Sequence, residues 1–309
     1  MQTIIPPDRR QRIQDLGYDY AAQPHDLVMT CNLCGTNVLV TITHRDRYGY
    51  PAQASACSRC GLVFLNPRMT AAAYGRFYDG VYRPLVSAFH GRLIDARTIQ
   101  AEQREYAHDR AAFVRPFLNR SGLTTMLDIG GSTGVVAGHF AKMFGLTGTL
   151  IDPAPLEVQE ARAFGLETIT GLVEEYDFGG RRFDLVLICQ TVDHLLDVAG
   201  TLRRVRELLT PNGYLFVDIV DFRAAYLRNW SVEDATKIDH PYYLTQETMT
   251  AYLRRTGFES MRVAYAADHL HVSYLCRPTQ PSPHALPEPT SVTELFREVR
   301  YVQNAPRPA

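Results

Sequence analysis

Short apolar runs alternate with apolar stripes of helical spacing along the middle of the chain. Seven such runs predict β-strands, at 125–129, 148–151, 167–169, 185–189, 214–219, 261–265 and 272–276. Helical periodicities lie between most of them, and one apolar stripe consists of Val198, Leu202, Val205 and Leu209. Strands that alternate with helices in this way predict a mostly parallel sheet covered by helices on both faces.

The pattern changes on both sides of this alternating region. Residues 69–120 predict helices, of which the longest spans about 91–118. The proline-rich residues 277–290 predict a linker, and residues 291–303 predict one last short helix. The expected organisation is an N-terminal arm without clear periodicity (1–28), a cysteine module (29–68), a helical linker or lid (69–120), the alternating domain (121–277) and a tail (278–309).

Four of the six cysteines form two matching pairs, Cys31-Asn-Leu-Cys34-Gly and Cys57-Ser-Arg-Cys60-Gly. Each C-x-x-C spacing lets two thiolates face one metal, and the following glycine can take a positive φ that turns backbone N–H groups toward sulfur. Four thiolates suit a closed, structural zinc site; rubredoxin-like iron and metal-free thiol pairs are the alternatives. The alternating apolar residues 38–42 predict a strand of a β-ribbon between the pairs.

Composition and charge narrow the class of protein. The 309 residues are 46% hydrophobic and 21% charged, as in a globular protein with an apolar core. The formal net charge of −1 provides no strong field for nucleic acid or anionic lipid, and Arg45 and Arg47 alone make a weak case for nucleic acid. The first 30 residues lack an apolar core of signal-peptide length, and no apolar run approaches a membrane span. A cytoplasmic protein without a membrane or nucleic-acid partner is expected.

Residues 126–134, Met-Leu-Asp-Ile-Gly-Gly-Ser-Thr-Gly, are the most informative stretch. An apolar strand runs into a turn of small residues, which lets the backbone approach a ligand closely. Asp152 ends the next apolar strand about twenty residues later, where doubly wound proteins bind ribose hydroxyls. A glycine loop alone does not separate a nicotinamide cofactor from S-adenosylmethionine, so both remain open on this observation.

Three runs resemble the motifs of class I S-adenosylmethionine-dependent methyltransferases. Leu127–Gly134 is similar to the first motif, D-x-G-x-G-x-G, with Ser132 in place of the middle glycine. Phe183–Leu195 resembles the fourth-strand motif, which often ends in Glu-His, and Leu208–Leu215 resembles the turn into the fifth strand. The resemblance covers residues 120–277. It implies an enzyme with a Rossmann-like, doubly wound α/β sheet of seven strands, the last of them antiparallel.

The cysteine module carries a second resemblance. Residues 57–68, together with the aromatic residues that follow, resemble the N-terminal part of bacterial methyltransferases that combine a zinc ribbon with this fold. Several of those enzymes modify nucleotide-linked deoxysugars or other natural-product intermediates, so the resemblance implies a small-molecule acceptor. The sugar C-methyltransferases usually carry a further C-terminal domain, whereas this chain ends soon after residue 277, which leaves the sugar as a suggestion. The aromatic residues are Tyr74, Phe77, Tyr78 and Tyr82.

The first resemblance also assigns cofactor contacts to particular residues. The acidic residue that ends the first strand lies near the amino-acid end of the cofactor, and the acidic residue that ends the second strand binds the ribose. The segment after the third strand packs on the adenine ring. Carried onto this chain, the expected cofactor-binding residues are Asp128, Gly130, Gly131, Gly134, Asp152, Leu172, Val173 and Gln190.

Two histidines are candidates for the base that removes a proton from the acceptor. His194, with Asp193 before it, follows the fourth strand, at the edge where open α/β sheets bind ligands. Imidazole accepts a proton near neutral pH, and Asp193 would orient the ring or face the cofactor. His240 precedes a pair of tyrosines and is the second candidate. The rival interpretation, which Ser132 keeps open, is a non-catalytic scaffold whose ribbon binds a partner.

Overall fold

The computed structural model describes residues 6–118 and 122–306. Its strands are β1 (His25–Asp26), β2 (Leu39–Thr43), β3 (Ala54–Cys57), β4 (Val63–Leu65), β5 (Arg68–Met69), β6 (Thr125–Ile129), β7 (Thr147–Asp152), β8 (Glu167–Thr170), β9 (Phe183–Cys189), β10 (Leu209–Val220), β11 (Tyr242–Tyr243), β12 (Phe258–Tyr265) and β13 (His271–Pro278). Its helices are α1 (Pro7–Gln14), α2 (Ala71–Gly80), α3 (Tyr82–His90), α4 (Ala96–Leu118), α5 (Val135–Phe144), α6 (Pro155–Ala161), α7 (Val198–Leu208), α8 (Phe222–Asn229), α9 (Val232–Ala235), α10 (Gln246–Thr256) and α11 (Pro289–Asn304).

Seven strands form the main sheet, in the order β12-β13-β10-β9-β6-β7-β8. Strands β6 to β10 pair in parallel, and β13 runs antiparallel to both of its neighbours, β10 and β12. This is the predicted doubly wound sheet with an antiparallel last strand. The turn expected at Pro211–Gly213 lies inside β10, as an irregularity between Leu209 and Tyr214. Leu209, which the helical stripe had included, therefore begins this strand instead of ending α7.

Helices cover both faces of the sheet, as the apolar runs predicted. Alternate residues of β6 face opposite ways: Leu127 and Ile129 belong to one core with residues of α7 and α10. Met126 belongs to the other, with residues of α4 and α5. Asp128 is fully buried at the carboxyl end of the same strand. The carboxyl ends of β6, β7 and β9 therefore share one edge, and this edge carries the candidate site.

The cysteine module is joined to the main body by a shared sheet and a shared core. Strands β2, β3 and β4 form a ribbon that β11 extends, because Tyr242 and Tyr243 pair with Phe64 and Val63. Asn32, between the first two cysteines, accepts hydrogen bonds from the Ala199 amide (3.1 Å) and the Tyr252 hydroxyl (2.9 Å). The ribbon is thus positioned by contacts with segments that follow it by more than a hundred residues.

The strand predicted over 38–42 is confirmed in part, because β2 begins at Leu39. Its simple alternation was wrong, since the register shifts between Thr41 and Thr43. Val38 and Val40 are 57% and 44% exposed, while Ile42 is buried beyond the shift. A bulge moves later residues of a strand to the other face, which local alternation does not reveal.

The helical segment divides differently from the single long helix predicted over about 91–118. Helix α3 ends at Gly91, which has a φ of 68°, and α4 begins only at Ala96. Asp95 accepts a hydrogen bond from the Thr98 amide (2.9 Å), as a residue that caps a helix start does. The expected helix end near 119–122 falls largely outside the described residues.

The N-terminal arm and the tail both contain ordered elements. Helix α1 buries Ile13, and β1 pairs with β5. Helix α11 contains the predicted last helix, and its buried face consists of Val292, Leu295, Val299 and Val302. Within the described residues, no helix is both long and apolar enough to cross a membrane.

Candidate active site

The loop between β6 and α5 lies at the carboxyl edge of the sheet and has no room for larger side chains. A Cβ atom on Gly131 would lie 2.5 Å from Asp128 Oδ2 and 2.5 Å from Leu150 Cδ1. Gly130 has a φ of 67°, and a Cβ there would lie 2.3 Å from Thr191 Cγ2. Glycine is therefore required at both positions for the tight packing of this loop against Asp128, Leu150 and Thr191.

Ser132 is accommodated differently from what its small size suggested. A serine keeps the close approach of this loop most simply with a negative φ, whereas the φ of Ser132 is 50°. Its amide donates to Asp152 Oδ2 (3.0 Å), and its hydroxyl donates to Glu157 Oε2 (3.0 Å). These two bonds offset the cost of a left-handed serine, about 1–3 kcal/mol. The loop keeps its turn although the middle glycine is absent.

Asp128 is a buried carboxylate without a partner. It is fully buried, and neither carboxylate oxygen accepts a hydrogen bond from any described residue. Burial, together with the nearby charges of Asp152 and Asp218, holds its pKa well above the usual range. Buried polar atoms are almost always satisfied in native proteins, so this carboxyl fits a ligand that brings a hydrogen-bond donor. The ammonium group of S-adenosylmethionine is such a donor.

Asp152 lies at the end of β7, 8% exposed, beside the glycine loop. Its Oδ1 accepts a hydrogen bond from the Ala154 amide (2.8 Å). Burial raises its pKa, and the two backbone amides that it binds oppose that shift. Glu157 links this edge to helix α3 by an ion pair with Arg83. The helical segment therefore contacts the predicted cofactor edge.

The remaining predicted cofactor residues differ in their exposure and in their contacts. Of the two residues expected near the adenine ring, Leu172 is 43% exposed and Val173 is buried in the core. Gln190, after β9, has a φ of 50°, and its backbone amide donates to Asp218 Oδ1 (2.8 Å). Asp218 in turn pairs with Arg110 of α4 at 2.7 Å, an ion pair that is almost fully buried. This pair fixes the end of β9 between the sheet and the helical segment.

The three predicted catalytic residues meet in one cluster. His240 Nδ1 lies 2.9 Å from Asp193 Oδ2, and the rings of His194 and His240 are 4.5 Å apart between centroids. Burial alone would raise the pKa of Asp193, but the charges of His240 and His194 outweigh it and hold that pKa well below the usual range. The cluster therefore keeps an ionised carboxylate beside an imidazole.

His194 is bound through one ring nitrogen. Its Nδ1 lies 2.6 Å from the Tyr78 hydroxyl and 3.0 Å from the Asp239 carbonyl oxygen. The Tyr78 hydroxyl also donates to that carbonyl, at 2.7 Å. Burial lowers the pKa of His194, and the charge of His240 lowers it further, so the ring is neutral at pH 7.

A cavity of about 260 Å³ opens beside this cluster, toward α8 and α9. Asp193 and His240 line it together with Tyr242 and Tyr243, while His194 lies behind His240 and is not part of the lining. The aromatic and polar lining suits a small molecule. Residues 128–134 of the glycine loop are not part of this lining.

Four cysteines converge as the spacing predicted. The Sγ atoms of Cys31 and Cys60 are 3.5 Å apart, as are those of Cys34 and Cys57, and all four lie within 4.8 Å of one another. Tetrahedral zinc with Zn–S bonds of about 2.3 Å separates its sulfur ligands by about 3.8 Å. The spacing therefore fits one such ion.

Several residues at this edge were not predicted from the sequence. Asp239 and Lys237 contact the catalytic cluster, since His240 Nε2 lies 3.3 Å from Asp239 Oδ2 and 3.2 Å from Lys237 Nζ. Glu157 and Arg83 connect the helical segment to the glycine loop. Asp239 and Lys237 could have been noticed in the sequence, because both are charged and lie close to the candidate His240. Nothing in the sequence pointed to Arg83.

Comparisons with known proteins identify the family of this chain. Residues 99–263, 165 of the 309 residues, match the family model of the methyltransferase domain. A ubiquinone biosynthesis O-methyltransferase of Azorhizobium caulinodans is 30% identical over 177 residues, which cover 52% of this chain and 67% of that protein. Another of the same name, from Methylobacterium nodulans, is 31% identical over 102 residues, 30% of this chain and 39% of that protein. The chain thus spans 39% to 67% of the length of these two relatives.

A solved structure shows the same fold. The mitomycin 7-O-methyltransferase MmcR has a TM-score of 0.52 and 20% identity over 67% of this chain and 60% of that chain. The glycine loop left S-adenosylmethionine and a nicotinamide cofactor open, and the family match favours S-adenosylmethionine. It also favours an enzyme over a non-catalytic scaffold. The chain therefore belongs to the S-adenosylmethionine-dependent methyltransferases.

Proposed function

We propose that the protein methylates a hydroxyl oxygen of a small-molecule acceptor bound in the 260 Å³ cavity. The observation that carries this proposal is the cluster of Asp193, His194 and His240, two members of which, Asp193 and His240, line that cavity. A hydroxyl is a poor nucleophile until its proton is removed, and this cluster contains neutral imidazole. The names of the two relatives, which are O-methyltransferases, support oxygen as the methylated atom.

The hydrogen bonds of His194 select it as the base. When the Tyr78 hydroxyl donates to the Asp239 carbonyl, His194 Nδ1 carries the ring proton and donates to that same group. Nε2 then holds a free lone pair, since no described residue bonds to it. By contrast, both ring nitrogens of His240 have partners: Nδ1 lies 2.9 Å from Asp193 Oδ2, and Nε2 lies 3.2 Å from Lys237 Nζ and 3.3 Å from Asp239 Oδ2. We therefore assign proton removal to His194, which requires the acceptor hydroxyl to reach past the cavity lining because His194 is not part of it, and we assign orientation of the acceptor to Asp193 and His240.

The remaining residues hold and align the cofactor. When bound, S-adenosylmethionine supplies a sulfonium methyl group that needs no further activation. Asp128 accepts a hydrogen bond from the ammonium group, Asp152 accepts from ribose hydroxyls, and Leu172 covers the adenine. The loop at Gly130 and Gly131 keeps the backbone close. The protein thus contributes mainly alignment and one base.

The proposed function is tested by a labelled methyl transfer. The protein is incubated with S-adenosylmethionine carrying a trideuterated methyl group and with a fractionated small-molecule extract, and products are identified by mass spectrometry. The expected product carries the label on oxygen. A label on carbon or nitrogen would contradict the assignment. Nucleotide-linked sugars, which the cysteine module suggested, form a second acceptor class in the same screen.

Replacing Asp152 by alanine is expected to weaken S-adenosylhomocysteine binding by about tenfold or more, because a buried carboxylate that binds two hydroxyls is lost. Isothermal titration calorimetry measures this directly. Asp109→Ala, on the exposed face of α4, removes the same charge away from the site and should bind normally. Equal affinity in the two variants, or binding of NADH by the wild type, would contradict the cofactor assignment.

The pKa of His194 is expected to lie below the ordinary value of 6.5, because burial and the His240 charge disfavour the imidazolium. Histidine NMR against pH measures it, with His194→Gln used to identify the signal. Since the base acts unprotonated, methyl transfer should stay constant near pH 7 and fall as the pH drops through this lowered pKa. A His194 pKa above 6.5 would argue against the base assignment.

We also propose that the four cysteines hold one zinc ion with a structural role. Four thiolates leave no open coordination position, so the ion stabilises the module and takes no part in methyl transfer. Iron has the same ligand preference here, and its absorbance in the visible range separates the two metals.

A further inference from the structure

Basic side chains outnumber acidic ones in the lining of the cavity. Arg47, Lys237 and Arg228 face it, against Asp193 and Asp234. Asp193 is already paired with His240, so its negative charge is not available to pair with these cations. The chain as a whole carries a formal net charge of −1, and this local excess is therefore a property of the cavity.

Two of these cations have no carboxylate partner. The Lys237 ammonium contacts His240 Nε2 at 3.2 Å, and within residues 6–118 and 122–306 it forms no ion pair. The Arg47 guanidinium lies 4.8 Å over the Phe89 ring, and its Nε is buried without a hydrogen-bond partner. Both side chains are only partly exposed. Leaving two cations unpaired in such a place costs free energy.

Two other cations with little exposure form ion pairs with carboxylates. Arg110 pairs with Asp218 at 2.7 Å, and Arg83 pairs with Glu157. Burial lowers the pKa of Lys237, the charges of Asp239 and Asp193 oppose this shift, and the nearby Arg47 charge adds to it. An anionic group between them would relieve both the desolvation and the repulsion.

We propose that the methyl acceptor carries a carboxylate or phosphate group, and that Lys237 and Arg47 bind this group inside the cavity. The inference rests on the proposed function, because it takes the cavity as the acceptor site. The 3.2 Å contact between Lys237 and His240 places the anion beside the Asp193–His240 pair. The two cations then fix one end of the acceptor and determine which hydroxyl faces the base. They act as specificity-determining residues, and take no proton.

The lysine content makes a direct test practical. The chain has two lysines, Lys142 and Lys237, so selective lysine labelling gives two side-chain NMR signals, and Lys142→Arg identifies them. Inorganic phosphate and acetate are titrated in separate arms, with sodium chloride at equal ionic strength as the reference. The expected result is a saturable shift of the Lys237 signal, and none of the Lys142 signal. The arm with the higher affinity identifies phosphate or carboxylate as the group.

Variants test the assignment to these two cations. Arg47→Gln should weaken anion binding by about tenfold or more, the scale of a lost charge-assisted contact. Arg45→Gln removes the same charge from an exposed side chain of the same segment, and should bind the anion as the wild type does. Lys237→Met lacks the lysine signal, so the NMR signal of His240 is followed instead, and it should show the same weakening of anion binding. Unchanged S-adenosylhomocysteine affinity shows that the variant is folded.

The outcomes are distinguishable from those for the proposed function. A Lys237 signal that neither anion shifts, or equal anion affinity in Arg47→Gln and Arg45→Gln, overturns the inference. Methyl transfer to a neutral acceptor with no anion binding overturns the inference while the proposed function stands. A saturable anion shift combined with no methyl transfer to any anionic acceptor removes the acceptor assignment, and with it the proposal.

Discussion

Replacement of Cys57 by serine is expected to abolish tight metal binding and to unfold the cysteine module. A serine hydroxyl stays protonated at neutral pH and does not replace a thiolate, so the tetrahedral ligand set is left incomplete. The binding free energy of a structural zinc ion, about 10–16 kcal/mol in zinc-finger peptides, is folding free energy. That amount is comparable to the whole stability of a domain, about 5–15 kcal/mol. Metal analysis by mass spectrometry and calorimetric unfolding measure the two effects.

The effect should extend beyond the module. Strand β4 pairs with β11, which begins two residues after His240, so loss of the ribbon removes the support of the catalytic edge. Cys276→Ser is the matched control, because Cys276 is equally buried but lies in β13, away from the cluster. It should keep its metal. Wild-type protein purified without chelators and holding well under one equivalent of metal would contradict the assignment.

Replacement of His194 by alanine is expected to lower turnover by about a hundredfold or more, the scale of a lost general base. S-adenosylhomocysteine affinity should barely change, because the role is felt mainly in the transition state. Steady-state kinetics with the acceptor found in the labelling screen, together with calorimetry, measure both quantities. The fall in methyl transfer at low pH that is expected of the wild type should be absent from this variant, because the imidazole that takes up the proton has been removed.

Two further variants separate proton removal from a structural role. His240→Ala should lower turnover less, because its Nε2 is occupied by Lys237 and its contribution is to orient the acceptor. Tyr78→Phe removes the hydroxyl that fixes the ring of His194, and should shift its NMR pKa without abolishing turnover. If His240→Ala has the larger effect, the base is His240. Unchanged turnover in both histidine variants would mean that the acceptor needs no base.

Local sequence pattern predicted most elements of the sheet, because a strand's apolar run and a helix's apolar stripe depend on near neighbours in the chain. The glycine loop, Asp152 and the paired cysteines were found for the same reason: their chemistry requires a fixed short spacing. Ser132 shows the limit. Its φ of 50°, which bonds to Asp152 and Glu157 hold, does not follow from its residue type.

The sequence by itself determined the order of strands and helices along the chain, the doubly wound class and the convergence of the four cysteines. Only the tertiary structure decided which polar groups meet at the catalytic edge. Tyr78 and His194 are 116 residues apart and 2.6 Å from each other, and Lys237, in the loop after α9, reaches the cavity together with Arg47, in the loop between β2 and β3. Such contacts depend on how the ribbon, the helical segment and the main sheet pack, and packing is set by the sum of many distant apolar contacts. No local spacing contains that information.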